Sequence, residues 1–395
     1  MMEETRIVLK RGKEESLLRF HPWIFSGAVS RIYGEPEEGE VVTVVDSEEK
    51  FIARGHFQVG SIAVRVLTFR DEKIDRAWWT ARLEQACRLR GALGLADSEE
   101  TTCYRLVHGE GDSLPGLVVD IYGSVAVLQA HSIGMYRSRQ QIAEILREIY
   151  GGKLTAVYDK SSGTLPFRAE LNPVDGYLFG AAAGEPVLEN GNRFLVNWER
   201  GQKTGFFIDQ RDNRRLVGQY AAGRTVLNTF CYTGGFSVYA LEGGAVHVEA
   251  VESSGRPVEL AQKNVELNFG TEASHRAIAC DAFDFLKDVQ DQYDLIVLDP
   301  PAFAKHQRVL GNALQGYKRL NARAISRIRP GGILFTFSCS QAVSREHFRN
   351  AVFSGAAIAG RNVRILHQLT QPADHPVNIY HPEGEYLKGL VLYVE

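Results

Sequence analysis

No stretch of the 395-residue sequence approaches the roughly 18 consecutive apolar residues that a membrane-spanning helix needs. This argues against a membrane protein. The opening Met1-Met2-Glu3-Glu4 is acidic and lacks the basic and apolar parts of a signal peptide, so a cytoplasmic chain is expected. The five cysteines (Cys87, Cys103, Cys231, Cys280 and Cys339) are odd in number and widely spread, with no CxxC pair. Neither a disulfide framework nor a zinc site is indicated, and no metal is expected. GxGxxG is also missing, which removes the dinucleotide-binding fingerprint. Charge of one sign is lacking too. Lys+Arg 45 against Asp+Glu 48 leaves −3, so any contact with nucleic acid must be local. No internal repeat is visible.

What is present is ordinary globular composition, 44% hydrophobic and 24% charged, at a length that suits two or three domains. The first 70 residues carry short β-branched runs (40–46 and 62–67) punctuated by Gly34, Gly39, Gly55 and Gly60, the pattern of a small β-barrel. Residues 76–93 are amphipathic. Runs 117–120 and 125–128 flank Tyr122-Gly123-Ser124 as a hairpin, and Ile142, Ile145, Leu146 and Ile149 share one helical face. Strand-like runs at 225–230, 246–251, 276–280, 293–299 and 333–338 then alternate with helix-like runs at 237–241, 258–269, 283–289 and 315–329. A helix from Ser344 and strands at 363–368 and 387–394 follow. The expected class is α/β: a Rossmann-like, mostly parallel seven-stranded sheet after a barrel and an α+β domain, with boundaries 1–71, 72–185 and 186–395.

Ligands of such sheets sit outside the carboxyl ends of the strands. The first strand ends in Asn228-Thr229-Phe230-Cys231-Tyr232-Thr233-Gly234-Gly235, where paired glycines permit a sharp turn and close backbone approach. A tight turn without a ligand is the other, less favoured reading of these residues. Glu252 follows Asn228 by 24 residues, a spacing that suits a ribose hydroxyl pair. Asp281 either accepts an adenine amino group or caps the next helix. Asp299-Pro300-Pro301-Ala302-Phe303 forms a stiff, acceptor-rich ledge on which a flat heterocycle can lie against Phe303. Cys339, at the end of the fifth strand, either faces the crevice or is a small buried residue.

Together these strand ends resemble the class I S-adenosylmethionine (SAM)-dependent methyltransferases. With Lys203-Thr204-Gly205-Phe206-Phe207-Ile208-Asp209-Gln210-Arg211-Asp212-Asn213-Arg214 they look like the large-subunit rRNA cytosine-5 methyltransferases that carry an N-terminal PUA domain. His21-Pro22-Trp23-Ile24-Phe25-Ser26-Gly27, Leu114-Pro115-Gly116-Leu117-Val118-Val119-Asp120 and Glu385-Tyr386-Leu387-Lys388-Gly389 extend the likeness over nearly the whole chain. The resemblance implies that SAM is bound by Asn228, Thr229, Gly234 and Gly235 at its methionine end, by Glu252 at the ribose and by Asp281 at the adenine. Phe230, Ser253, Ala282, Asp299, Gln210 and Arg211 complete that set. It also implies a PUA-like first domain, ribosomal RNA as partner and a homodimer.

By the same resemblance, Cys339 adds to C6 of cytosine so that C5 becomes nucleophilic, and Asp299 hydrogen-bonds the base edge. A second cysteine found after the fourth-strand proline in many RNA members is replaced here by Ala302. Pro300, Pro301 and Phe303 would flank the base. The segment 305–329 holds Lys305, Arg308, Lys318, Arg319, Arg323, Arg327 and Arg329 and no acid. That is either a solvated face or a set of phosphate contacts. The alternatives are amino-group methylation of adenine or guanine, which needs no thiol, a nicotinamide-dependent oxidoreductase and a non-catalytic RNA binder.

Overall fold

The computed structural model describes residues 5–166, 171–182, 184–304 and 306–395, and Lys305 lies outside the described residues. The chain divides into two compact units. One comprises Met1–Val187, Val196–Ile208 and Ala373–Gly384, and the other comprises Leu188–Leu195, Asp209–Pro372 and Glu385–Glu395. The chain therefore crosses between units five times, where the sequence reading drew a single boundary after residue 185.

The first unit opens with β1 (Arg6–Leu9), α1 (Glu15–Leu18), β2 (Trp23–Phe25), β3 (Val29–Tyr33), β4 (Val41–Val45), β5 (Phe51–Phe57) and β6 (Ile62–Thr68). These strands form one sheet in the order β2-β6-β5-β4-β1-β3, with β1 and β4 parallel and the other pairs antiparallel. Ile7, Leu9, Val42, Val44, Val64 and Val66 fill its core. Next come α2 (Arg76–Ala92), β7 (Cys103–His108), β8 (Leu117–Tyr122), β9 (Val125–Ala130), α3 (Ile133–Tyr150), β10 (Ala156–Asp159) and β11 (Gly176–Gly180). The strands make a second sheet in the order β11-β10-β9-β8-β7. Asp75 and Ser132 cap α2 and α3 by accepting from Trp78 N and Met135 N, which satisfies amides that have no partner inside the helix. The face predicted for α3 is the buried one: Ile142, Ile145 and Leu146 enter the core with Leu83, Leu106 and Val119.

β12 (Val187–Glu189) and β13 (Asn192–Phe194) form a two-stranded ribbon that the periodicity did not reveal. Its turn is Asn190-Gly191, both at positive φ (49° and 82°), the dipeptide signal of a tight hairpin. The second unit then runs α4 (Arg211–Ala221), β14 (Thr225–Thr229), α5 (Gly235–Glu242), β15 (His247–Glu252), α6 (Gly255–Phe269), β16 (His275–Ala279) and α7 (Ala282–Asp288). It continues with β17 (Leu295–Leu298), α8 (Leu310–Arg327), β18 (Gly332–Ser338), α9 (Arg345–Ala359), β19 (Val363–Leu369) and β20 (Lys388–Val394). The seven strands are ordered β16-β15-β14-β17-β18-β20-β19, parallel except at β20. Every residue of β17 and β18 is buried, as strands covered on both faces require. Helix α8 begins five residues before the expected 315, because Leu310, Ala313 and Leu314 pack into the core despite the intervening Gly311 and Asn312. It ends before the expected 329, where Ile328 turns extended ahead of Arg329-Pro330.

Candidate active site

The sheet reverses its winding direction between β14 and β17, and the crevice outside their carboxyl ends is where a ligand is expected. After β14 the chain makes a tight loop with Phe230, Tyr232 and Gly234 at positive φ. A Cβ on Gly234 would lie 2.9 Å from the Ala261 Cβ of α6, and one on Gly235 would lie 2.9 Å from Cδ of Arg214. Both glycines are thus explained by close approach of neighbouring elements. The side chains that face a ligand lie beside them. Asn228 is 0% exposed, and its amide donates to Ser237 Oγ at 2.9 Å while its Oδ1 has no hydrogen-bond partner. The buried Thr233 Oγ1 is likewise unpartnered. Two orphaned oxygens at a strand end are costly unless a ligand donor meets them, on the order of 1–3 kcal/mol each. They fit ligand donors such as ammonium or hydroxyl groups. Thr229 is committed to Val297 O at 2.7 Å.

Glu252 ends β15, half-buried. It accepts from Tyr232 N (3.2 Å), Ser253 Oγ (3.0 Å) and Ser254 N (3.3 Å), which fixes its carboxylate at the mouth of the crevice. Asp281 is the N-cap of α7, accepting from Asp284 N at 3.1 Å, so the capping reading of this residue is realised. Ala282, the next residue, is buried in the first turn of α7.

Asp299 follows β17 and accepts a 3.0 Å hydrogen bond from Gln210 Nε2, whose own Oε1 accepts from Asn213 Nδ2 at 2.7 Å. Asp209, Gln210 and Arg211 are buried, and Tyr386 OH donates to Asp209 at 2.7 Å. The motif that precedes the first strand thus reaches the fourth-strand acid from residue 209 onward. Residues up to 208 belong to the other unit, where Thr204 donates to Asp120 at 2.6 Å.

Cys339 is half-buried, and its Sγ lies 3.9 Å from Pro300 O, so the sulfur and the proline ledge share one edge. The flanking serines hold it there. Ser338 Oγ and Ser340 Oγ each lie 2.9 Å from the hydroxyl of Tyr317, which is fully buried on α8, and Ser340 Oγ also accepts from Ala304 N. Lys388, the first residue of β20, is 4% exposed and donates to Ser340 O at 2.7 Å. Burial pushes its ammonium down to about 8, opposed chiefly by charge on Cys339. Burial pushes the Cys231 thiol in the opposite direction, well above its ordinary value. Of these two strand-end cysteines, Cys231 is buried and Cys339 is half-buried at the crevice edge.

Phe303 is half-buried and packs on Tyr317 (centroids 4.6 Å apart) and Phe283 (6.3 Å), with Gly316 beneath it. Pro301 is exposed. Among the basic residues, Arg308 and Arg319 are exposed, and Lys318, Arg323 and Arg327 are partly so. Arg323 donates to Phe283 O at 2.8 Å. Helix α8 starts at the catalytic edge and runs to the opposite one, so Arg327 at its last turn is on the order of 25 Å from the start. Sequence reasoning missed Lys388, Tyr317 and Thr233. A lysine opening the otherwise apolar strand Lys388–Val394 is the one signal that pointed to the first of them.

Residues 176–379 match the profile of the S-adenosylmethionine-dependent methyltransferases, and residues 7–69 match that of a PUA-like domain. The fold and the strand-end site are those of a SAM-dependent methyltransferase. The ribosomal RNA large subunit methyltransferase I of Tolumonas auensis is 41% identical over 98% of this chain and 99% of its own, and that of Klebsiella pneumoniae is 41% identical over 98% of both. The chain belongs to the ribosomal RNA large subunit methyltransferase I family. A solved methyltransferase in complex with SAH superposes with a TM-score of 0.84 at 25% identity, covering 98% of this chain and 100% of that one. Among the described residues, no helix is long and apolar enough to cross a membrane.

Proposed function

We propose that the chain methylates C5 of a cytosine in large-subunit ribosomal RNA through a covalent adduct of Cys339. The observation that carries this reading is the half-buried Cys339 sulfur at 3.9 Å from Pro300 O, one residue from Asp299, on the edge that also holds the orphaned Asn228 and Thr233 oxygens. Asn228, Thr233 and Glu252 bind the cofactor, with Gln210 and Arg211 lining the approach to Asp299. When bound, SAM supplies an electrophilic methyl group on a sulfonium. The Cys339 thiolate forms an S–C6 bond, the C5–C6 π pair becomes nucleophilic at C5, and Asp299 accepts from the exocyclic amino group to hold the ring. Once C5 has taken the methyl group and the sulfonium has left as the neutral thioether of S-adenosylhomocysteine, loss of the C5 proton to water restores the double bond as the S–C6 pair returns to the Cys339 sulfur. A free thiol is only a few per cent ionised at neutral pH, so nearby positive charge is needed. Lys388 supplies it as a positioning residue: its ammonium is fixed on the carbonyl of Ser340, next to the sulfur. Arg308, Lys318 and Arg319 contact phosphates, and the target base is unpaired or flipped, because stacking hides C5.

The test is mass mapping of methylated cytosines in ribosomal RNA from a strain lacking this chain. One 5-methylcytosine in the large-subunit RNA should vanish, return with the wild-type chain and stay absent with Cys339→Ala. A site restored by Cys339→Ala, or a missing N-methyl purine instead, overturns the covalent reading.

A further inference from the structure

His21, His381 and Glu383 lie in the first unit, and each offers one donor atom to a common point, all within 4.8 Å of one another. His21 Nε2 is 3.7 Å from Glu383 Oε1, and His381 Nε2 is 3.8 Å from Glu383 Oε2. A tetrahedral site with bonds of about 2.1 Å has donor–donor edges of about 3.4 Å, so closure needs only small side-chain movements. The decisive observation is His381. Its residue is 3% exposed, yet neither ring nitrogen has a hydrogen-bond partner. Buried imidazoles are otherwise hydrogen-bonded, and a metal on Nε2 satisfies a nitrogen that the protein leaves bare.

His21 is set up in the complementary way. Its Nδ1 sits 3.2 Å from Trp23 N and 3.3 Å from Trp23 O. Without an ion, Nδ1 accepts from Trp23 N–H; coordination through Nε2 shifts the ring proton to Nδ1, where the Trp23 carbonyl 3.3 Å away accepts it. The Trp23 ring, 4.3 Å from that of His381, walls the point on one side and is itself anchored by donation to Glu110 at 2.8 Å. Glu383 is half-exposed and leaves an entry path.

We propose that His21, His381 and Glu383 form a binding site for a divalent transition metal, zinc being the first choice for two imidazoles and one carboxylate, with an open fourth position. The ion ties the segment before β2 to the 373–384 segment, which returns to this unit from the far end of the sequence. Oxygen-seeking Mg²⁺ and Ca²⁺ are not expected to compete.

The test uses the full chain, stripped with chelator and titrated with ZnCl2 against a chromophoric competitor, with unfolding temperature as a second readout. The expected result is one saturable zinc per chain, weakened at least tenfold in Glu383→Gln. A rise of a few degrees in Tm with zinc should be absent in that variant. His381→Gln should behave alike, and if it fails to fold, the exposed Glu383→Gln decides alone. No saturable site, or one unaffected by Glu383→Gln, means an adventitious ion only and overturns the proposal.

Discussion

Cys339 and Lys388 show what single residues contribute. Cys339→Ala should abolish methyl transfer while SAM binding by calorimetry stays near wild type, because the thiol forms a bond to the base and none to the cofactor. Equal turnover in the variant would remove the nucleophile. Lys388 makes a finer prediction. Its ammonium titrates near 8, so charge beside the sulfur is present below that pH and lost above it. Methylation by the wild type should fall on the alkaline side with a midpoint near 8. Lys388→Arg should retain most of the rate and lose that limb, and Lys388→Met should be slow throughout. A packing role predicts the reverse ranking, since Met suits a buried site. The stability sign separates the two as well. The folded value lies below the unfolded 10.5, so the unfolded chain binds more protons between 8 and 10.5, and charged Lys388 opposes folding below 8. Lys388→Met should therefore unfold no sooner than wild type in urea at pH 7. The residue scale is also where the sequence was least legible. Asp281 reads as a cap before it reads as a ligand, and the cap is what a free Asp284 amide selects. Phe303 reads as an exposed platform, yet Gly316 on the next helix opens a slot that draws it against Tyr317.

Elements were the most legible scale, since burial on one or both faces imposes a period on the sequence. The runs between 225 and 338 fall on β14 to β18 within about two residues at each end. The β12–β13 ribbon escaped because three-residue strands carry no period, and only Asn190-Gly191 announced it. That ribbon carries Glu189, which accepts 2.8 and 2.6 Å bonds from Arg214 of α4 and a 3.0 Å bond from Tyr239 OH of α5, with all three residues buried. Removing one partner of a buried, hydrogen-bonded ion pair leaves the other charge uncompensated. Glu189→Gln should accordingly cost about 3–5 kcal/mol of stability in urea titrations. Because Arg214 also lies under Gly235, the same variant should weaken SAM binding. A loss under about 1 kcal/mol would mean that the ribbon is not an anchor.

At the scale of the whole molecule, the balance of charge and the burial of histidine set the response to solvent. His56 is deep in the first unit, and burial holds it at about 4. Since an unfolded histidine titrates near 6.5, the unfolded chain binds the extra proton between 4 and 6.5, and stability falls as pH drops through that window. Urea midpoints measured at pH 7 and 4.5 should show a large acid loss, reduced in His56→Gln.

The net charge of −3 makes the RNA prediction specific. A chain without overall positive charge gains little from long-range attraction, so affinity for RNA rests on the few cations that displace counterions at contact. The sequence made residues 305–329 a single basic segment, whereas the fold spreads it from one edge of the sheet to the other and commits Arg323 to a backbone carbonyl. Arg308 lies at the catalytic edge, Arg319 midway along α8 and Arg327 at its far end. Replacing Arg308 and Arg319 by Gln should reduce the slope of log affinity against log salt by about 0.7 per lost phosphate contact, roughly 1.4 in all for single-stranded RNA. Arg327→Gln, at the far end of α8, should leave both slope and affinity unchanged. If instead Arg327 carries the larger share, RNA crosses the helix at the wrong end for a base to reach Cys339, and the proposed route of the strand is refuted along with the assignment of that edge.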